Sequence, residues 1–167
     1  LIPCVEICPG ENTSTKSIEK AKEIFKLSGS SIVTVNKEID GFILNRLQGA
    51  LLNEAMRLYS EGYASSEDID ATIKDGLGLR WAFMGPFETI DLNAPGGIKD
   101  YMARYGSIFI EMAKSQTKIP DWSENAGKKL ELERRKVLSE DDLEKRAKKR
   151  NFLLKQLRKL KIANDET

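Results

Sequence analysis

The sequence changes character at residues 37–47, which read KEIDGFILNRL. Just before this stretch, residues 31–35 form a short β-branched run of the kind found in strands. After Gly41, apolar side chains recur at helical spacing as far as Gly62. The stretch therefore predicts a change from strands to helices. The apolar stripe is wide, which predicts a helix buried on more than one side, and it comprises Phe42, Ile43, Leu47, Leu51, Leu52, Ala55, Met56 and Leu58.

Residues 1–35 carry the pattern of a strand, a helix and a second strand. The apolar run 1–7 stops at Pro9-Gly10, and a helix to about Leu27 follows the polar residues 12–14, which are suited to cap it. Such a unit belongs to a parallel sheet, and both faces of a parallel sheet need cover. We therefore expect further strands upstream of Leu1, in a longer chain, and the missing initiator methionine agrees with that expectation.

Helical patterns continue to the end of the chain. One helix is expected to be capped by Ser66 and to end at Gly76 or Gly78, and a short one to start at Gly85-Pro86, where proline suits the first helical position. The remaining three helices are predicted from Ile98 to Lys114, from Pro120 and Trp122 onward, and from Ser139-x-x-Asp142 to about Ile162.

Composition narrows the class of protein. The chain has 167 residues, of which 40% are hydrophobic and 32% charged, and its formal net charge is only +1. That balance gives no bulk attraction to nucleic acid or to an anionic membrane, so neither is expected as a partner. No apolar run reaches the length of a membrane span.

The two cysteines, Cys4 and Cys8, lie in the first apolar segment. In an extended strand their Cα atoms would be roughly 13 Å apart, too far for a disulfide. A C-x3-C pair in a chain without histidine is a poor metal site, so no metal is expected. We expect buried free thiols in a reducing, cytoplasmic environment.

Residues 37–47 resemble the D-G-F-hydrophobic-x-N-R-hydrophobic signature of the 3-hydroxyacyl-CoA dehydrogenase family. Further elements of that family follow in the same order and spacing, and the resemblance becomes looser beyond about Gln116. These elements are Ser66-Glu67-Asp68-Ile69-Asp70, Gly76-Leu77-Gly78 and Gly85-Pro86-Phe87.

The resemblance implies a mainly α fold, with a 6-phosphogluconate-dehydrogenase-like helical C-terminal domain preceded by the last βαβ piece of a Rossmann domain. Residues 1–37 would be the remnant of the NAD-binding Rossmann domain, and residues 38–167 the helical substrate and dimerisation domain. The implied cofactor is NAD, and the implied assembly is a homodimer formed by the helical domains.

The resemblance also implies site residues. In the family a histidine acts as general base, a glutamate orients it, and a serine and an asparagine contact the substrate oxygen. Glu6 matches the orienting glutamate, and Asn45 matches the asparagine. The chain has no histidine and no G-x-G-x-x-G loop after a strand. We therefore expect the base, the serine and the main NAD-binding loop upstream of Leu1, and we expect this chain alone to be catalytically inactive.

Each site residue also has an ordinary structural interpretation. Glu6 would simply lie at an exposed sheet end, and Asn45 would be a polar residue near a helix start. Arg46 is a candidate for a substrate carboxylate or a CoA phosphate, although a structural salt bridge is favoured.

Other polar residues have weaker functional interpretations. Asp68 and Asp70 are better explained by the helix dipole than by a metal. Arg80 and Trp81 are expected at a cleft or dimer face. For Asp91, Leu92 and Asn93, packing is as plausible as substrate contact.

Three functions remain open at this point. The form of the run Leu79–Pro86 favours family members that act on a small polyol acid such as L-gulonate, and L-3-hydroxyacyl-CoA is the alternative substrate. A non-catalytic dimerisation or structural module of the crystallin kind is the second function. A binding module that uses the basic C-terminal helix is the third. The apolar positions of that helix favour packing on the domain or on a partner subunit.

Overall fold

The computed structural model describes residues 1–164. The chain starts with strand β1 (Cys4–Ile7), helix α1 (Thr15–Leu27) and strand β2 (Ser31–Thr34). The strands pair in parallel, with Glu6 opposite Val33. This confirms the predicted βαβ unit. Ser14 caps α1 by accepting a hydrogen bond from the Ser17 amide.

Helices make up the rest of the described chain. They are α2 (Phe42–Ser60), α3 (Ser66–Ala71), a π-helical turn (Thr72–Leu77), α4 (Gly78–Trp81), α5 (Pro86–Leu92), α6 (Gly97–Ser115), α7 (Glu124–Val137) and α8 (Leu143–Asn164). The mainly α architecture and the proline at the first position of α5 agree with the sequence-based predictions.

The predicted helix end at Gly76 or Gly78 is wrong. The backbone stays helical through both residues, and Gly78 has a φ of −64°. A Cβ on Gly78 would lie 2.8 Å from the carbonyl oxygen of Ile73. Glycine is therefore needed at position 78 because the backbone approaches closely inside a continuous helical segment. In the sequence, such a glycine looks the same as one that ends a helix.

The predicted cap of α3 is off by one residue. Ser65 is the N-cap and accepts a hydrogen bond from the Asp68 amide at 3.1 Å. Ser66 is buried and instead donates its hydroxyl to Glu133 on α7. Helix α7, expected from Pro120 and Trp122 onward, begins at Glu124 with Ser123 as its N-cap. Ser65 and Ser66 carry the same hydroxyl group, and the contact of Ser66 with Glu133 distinguishes the two.

The predicted burial of α2 on more than one side is wrong for the described residues. Met56 is the only α2 residue among them that is buried, while Leu47 is 62% exposed. The small apolar core consists of Val35, Met56 and Ala94. Residues 1–164 therefore leave most of the apolar surface of α2 without cover.

The C-terminal helix α8 returns to the βαβ unit. The Arg158 guanidinium donates a hydrogen bond to the carbonyl oxygen of Gly29 at 3.1 Å. Leu154 and Leu157 line a shared cavity with Leu1–Pro3. Packing of the basic helix on the rest of the chain is thereby confirmed for its C-terminal half. No helix within residues 1–164 combines the length and apolar character that crossing a membrane requires.

Candidate active site

The start of α2 is a strained turn. Gly41 has a φ of 81°, and the next residue, Phe42, has a φ of 48°. Phe42 is the one non-glycine residue with positive φ among residues 1–164. A bulky side chain in the left-handed region costs about 1–2 kcal/mol, and such strain persists only where the surroundings hold it. Something outside the helix must therefore hold this turn in place.

The first turn of α2 also lacks the usual local caps. Its N-cap is Gly41, which has no side chain to accept a hydrogen bond, and the first turn contains no acidic residue. The first amide groups of any helix have no partner within the helix, and they carry the positive end of the helix dipole. An acceptor, preferably an anionic one, has to come from elsewhere in the chain.

Glu6 supplies that acceptor from the carboxyl end of β1. Its Oε1 accepts hydrogen bonds from the Ile43 amide at 2.7 Å and the Leu44 amide at 3.2 Å. These residues follow Glu6 by 37 and 38 positions. A carboxylate at a helix N-terminus contributes about 0.3–1 kcal/mol through the dipole. Oε2 has no hydrogen-bond partner within the described part of the chain.

Asn45 follows Leu44 directly, so it lies in the turn that Glu6 caps. Asn45 and Arg46 are both exposed. Arg46 forms no ion pair with any of residues 1–164, so the favoured salt-bridge interpretation finds no partner there. The structure thus places Glu6 at a helix turn that Asn45 and Arg46 follow directly along the chain.

No imidazole is available to this site as a general base. The chain contains no histidine. Among residues 1–164, no group of three or more histidine, cysteine, aspartate or glutamate side chains is placed to hold a metal ion. Both cysteines are free and only half-buried, so the expectation of fully buried thiols is wrong.

The other acidic candidates have structural roles. Asp68 lies in the first turn of α3 and accepts the hydroxyl of its cap, Ser65, while Asp70 pairs with Arg134 at 3.2 Å. Asp91 accepts a hydrogen bond from the Ile98 amide at 2.6 Å and so holds the start of α6. Arg80 and Trp81 are exposed on α4.

A polar cluster between α2, α3 and α7 was not predicted from the sequence. Glu133 accepts from the backbone amide and the hydroxyl of Ser66, and it also faces the Tyr59 hydroxyl. The Ser66 amide, then the Tyr59 and Ser66 hydroxyls, hold the pKa of Glu133 below its usual range. Burial, together with this carboxylate, raises the pKa of Tyr59. Nothing in the sequence signals the pairing of α3 with α7.

Comparison with known proteins identifies the family of the chain. The model of the 3-hydroxyacyl-CoA dehydrogenase C-terminal domain matches residues 41–137, which is more than half of the chain. The chain therefore belongs to the 3-hydroxyacyl-CoA dehydrogenase family.

Individual relatives are similar over 64–96% of the chain. Lambda-crystallin of Oryctolagus cuniculus is 41% identical over 96% of this chain and 50% of its own length. A 3-hydroxyacyl-CoA dehydrogenase of Gibberella moniliformis is 34% identical over 94% of this chain and 50% of its own length. L-carnitine dehydrogenase of Streptomyces coelicolor is 41% identical over 64% of this chain and 34% of its own length. The chain thus spans about half the length of the first two relatives.

A solved structure shows the same fold. The crystal structure of 5-formyl-3-hydroxy-2-methylpyridine 4-carboxylic acid 5-dehydrogenase, described as an NAD+-dependent dismutase, superposes with a TM-score of 0.63. It is 27% identical in sequence, and the match covers 74% of this chain and 38% of that one. The helical architecture of this chain is therefore that of a dehydrogenase C-terminal domain.

Proposed function

We propose that this chain is the C-terminal part of an NAD-dependent dehydrogenase that oxidises the 3-hydroxyl of a small L-3-hydroxy acid of the L-gulonate type to a ketone. The observation that carries the proposal is the Glu6 carboxylate bound at the first turn of α2, next to Asn45. The family, and a rabbit lambda-crystallin that is 41% identical, support it.

The two side chains have separate roles in this proposal. An alcohol gives up hydride only as its hydroxyl proton moves to a base with a pKa near neutrality. We assign that base to a histidine in the other half of the enzyme. Glu6 Oε2, which has no partner among residues 1–164, accepts the imidazole N–H and fixes the tautomer of the ring. Asn45 donates its amide to the substrate oxygen, and Arg46 binds the substrate carboxylate.

NAD, as hydride acceptor, belongs to the other half of the enzyme as well. No glycine-rich phosphate loop follows a strand in this chain, so its own residues do not fit the cofactor. The proposed division is residues 1–37 in the nucleotide-binding domain and 38–167 in the helical domain. The chain by itself is then inactive. Two free thiols agree with a reducing, cytoplasmic environment.

We also propose that the helical domain forms a homodimer through α6. Tyr101 contacts Tyr105 and Phe109 at ring-centre distances of 4.8 and 6.2 Å, and this face continues into exposed Ile108 and Met112. An exposed apolar face of this extent is typical of an interaction surface. Sedimentation of the 167-residue chain tests this proposal, and a monomer at every concentration would contradict it.

The test of activity uses the full-length protein that contains this chain. NADH formation is followed with L-gulonate and, separately, with a short L-3-hydroxyacyl-CoA. Faster turnover of L-gulonate supports the proposal, and preference for the thioester would assign the alternative substrate. Activity with neither substrate would overturn the proposed reaction and favour a structural role. Glu6→Gln is expected to lower kcat at least tenfold, in line with the usual worth of acid–base catalysis, while NAD affinity stays unchanged.

A further inference from the structure

The contact between Glu6 and α2 joins two segments that the sequence keeps far apart. Glu6 is the next-to-last residue of β1, and the amides that it accepts hydrogen bonds from lie 37 and 38 positions later. A single oxygen, Oε1, makes both hydrogen bonds. Oε1 of the carboxylate is therefore hydrogen-bonded to the helix, and Oε2 has no hydrogen-bond partner among residues 1–164.

We propose that Glu6 is a positioning residue for Asn45 and Arg46, in addition to the role in orienting a base given above. Phe42, next to Gly41, keeps a strained left-handed conformation at the start of α2, and no local side chain caps this turn. Glu6 replaces that missing cap and fixes the turn relative to the end of β1. This inference rests on the proposed function only for its catalytic consequence.

The geometry separates the two roles of the carboxylate. Glutamine keeps a side-chain oxygen at the same distance from the backbone, so Glu6→Gln retains the cap of α2. It loses the negative charge that the proposed role in orienting the histidine base requires. Alanine loses both. Asp91→Ala is a matched control, because Asp91 also caps a helix amide, that of Ile98 at the start of α6.

The first test uses the 167-residue chain and amide hydrogen exchange measured by NMR. Glu6→Ala is expected to raise exchange at Ile43 and Leu44 by about tenfold, the effect of losing a charge-assisted hydrogen bond. Glu6→Gln is expected to raise it less than about threefold, because a neutral acceptor remains. The side-chain amide signals of Asn45 should shift in Glu6→Ala and stay near their wild-type positions in Glu6→Gln.

Asp91→Ala should raise exchange at Ile98 and leave Ile43 and Leu44 unchanged. Wild-type exchange at Ile43 and Leu44 in Glu6→Ala would overturn the inference. So would equal exchange there in the Asp91→Ala control, because the effect would then be general loosening. Should Glu6→Ala fail to fold, Glu6→Asp replaces it. Its side chain is one carbon shorter, so it should show the same increase at Ile43 and Leu44.

The second test separates this inference from the proposed reaction. In the active full-length enzyme, Glu6→Gln should lower kcat with KM near wild type, while Glu6→Ala should also raise KM about tenfold through displaced Asn45 and Arg46. Equal KM values in both variants would overturn the positioning role. If the full-length protein oxidises neither substrate but the exchange results are as expected, the proposed reaction is wrong and the role of Glu6 in positioning the helix is still supported.

Discussion

Ser66 and Glu133 are 67 positions apart and are joined by two hydrogen bonds, from the Ser66 amide at 2.9 Å and the Ser66 hydroxyl at 3.0 Å. Both bonds end on one carboxylate oxygen of Glu133. Since Ser66 begins α3 and Glu133 lies in α7, this pair fixes how the two helices meet. It also makes the stability of the chain depend on pH.

Acid is expected to remove the contribution of Glu133. The Ser66 amide and its companions lower the pKa of the folded-state carboxyl, so the stabilisation is complete above the unfolded pKa and is lost as pH falls through the folded one. Urea unfolding of the wild type and of Glu133→Ala should differ at pH 7 and converge in strong acid. A difference that stays constant down to strong acid would contradict the assigned ionisation. Glu131→Ala, an exposed neighbour on α7, is the control.

Truncation of Met56 is expected to be costly. Met56 is 7% exposed and is the buried residue of α2, so Met56→Ala should lower the free energy of unfolding by about 2–3 kcal/mol. Leu47→Ala, at a position 62% exposed, should cost less than about 1 kcal/mol. Denaturant unfolding of both variants measures the difference. Similar losses would show that this part of α2 has no core in the isolated chain.

The cap of α3 distinguishes two adjacent serines. Ser65→Ala should lower stability by about 1 kcal/mol and speed exchange of the Asp68 amide, because that amide loses its acceptor. Ser66→Ala should leave the Asp68 amide protected, since its hydroxyl bonds Glu133 instead. Residue-specific hydrogen exchange measures the protection of the Asp68 amide in both variants. Faster Asp68 exchange in Ser66→Ala would show that the assignment of the cap is wrong.

Loss of the contact between α8 and the βαβ unit is expected to lower the free energy of unfolding. Arg158→Ala removes the hydrogen bond to the Gly29 carbonyl and should cost about 0.5–1.5 kcal/mol, with faster exchange of the Ser31 amide nearby. Lys159→Ala, at an exposed neighbouring position, is the matched control. Identical Ser31 exchange in the two variants would show that α8 does not hold the strand pair.

Much of the fold follows from local sequence patterns. Three local signals correctly predicted a strand or a helix: the β-branched run at 31–35, the break at Gly41 and the proline at the start of α5. Each signal depends only on the conformational preferences of a few neighbouring residues. The glycines at 76 and 78 misled the prediction for the same reason. Gly78 is needed because the Ile73 carbonyl oxygen lies 2.8 Å from where its Cβ would be, whereas a Cβ on Gly76 would meet nothing within 4 Å, and composition alone does not reveal either fact.

The sequence by itself determined the parallel βαβ unit, the helical character of residues after Gly41 and the identities of Glu6, Asn45 and Arg46 as candidates. The first two follow from short-range sterics and periodicity, and the three candidates follow from the resemblance of the sequence to a known family. Only the tertiary structure decided that Glu6 caps α2, that Ser66 bonds Glu133 and that Arg158 reaches Gly29. Hydrogen bonds between distant segments depend on which donors and acceptors the folded chain brings together. The spacing of residues along the sequence does not reveal these pairs.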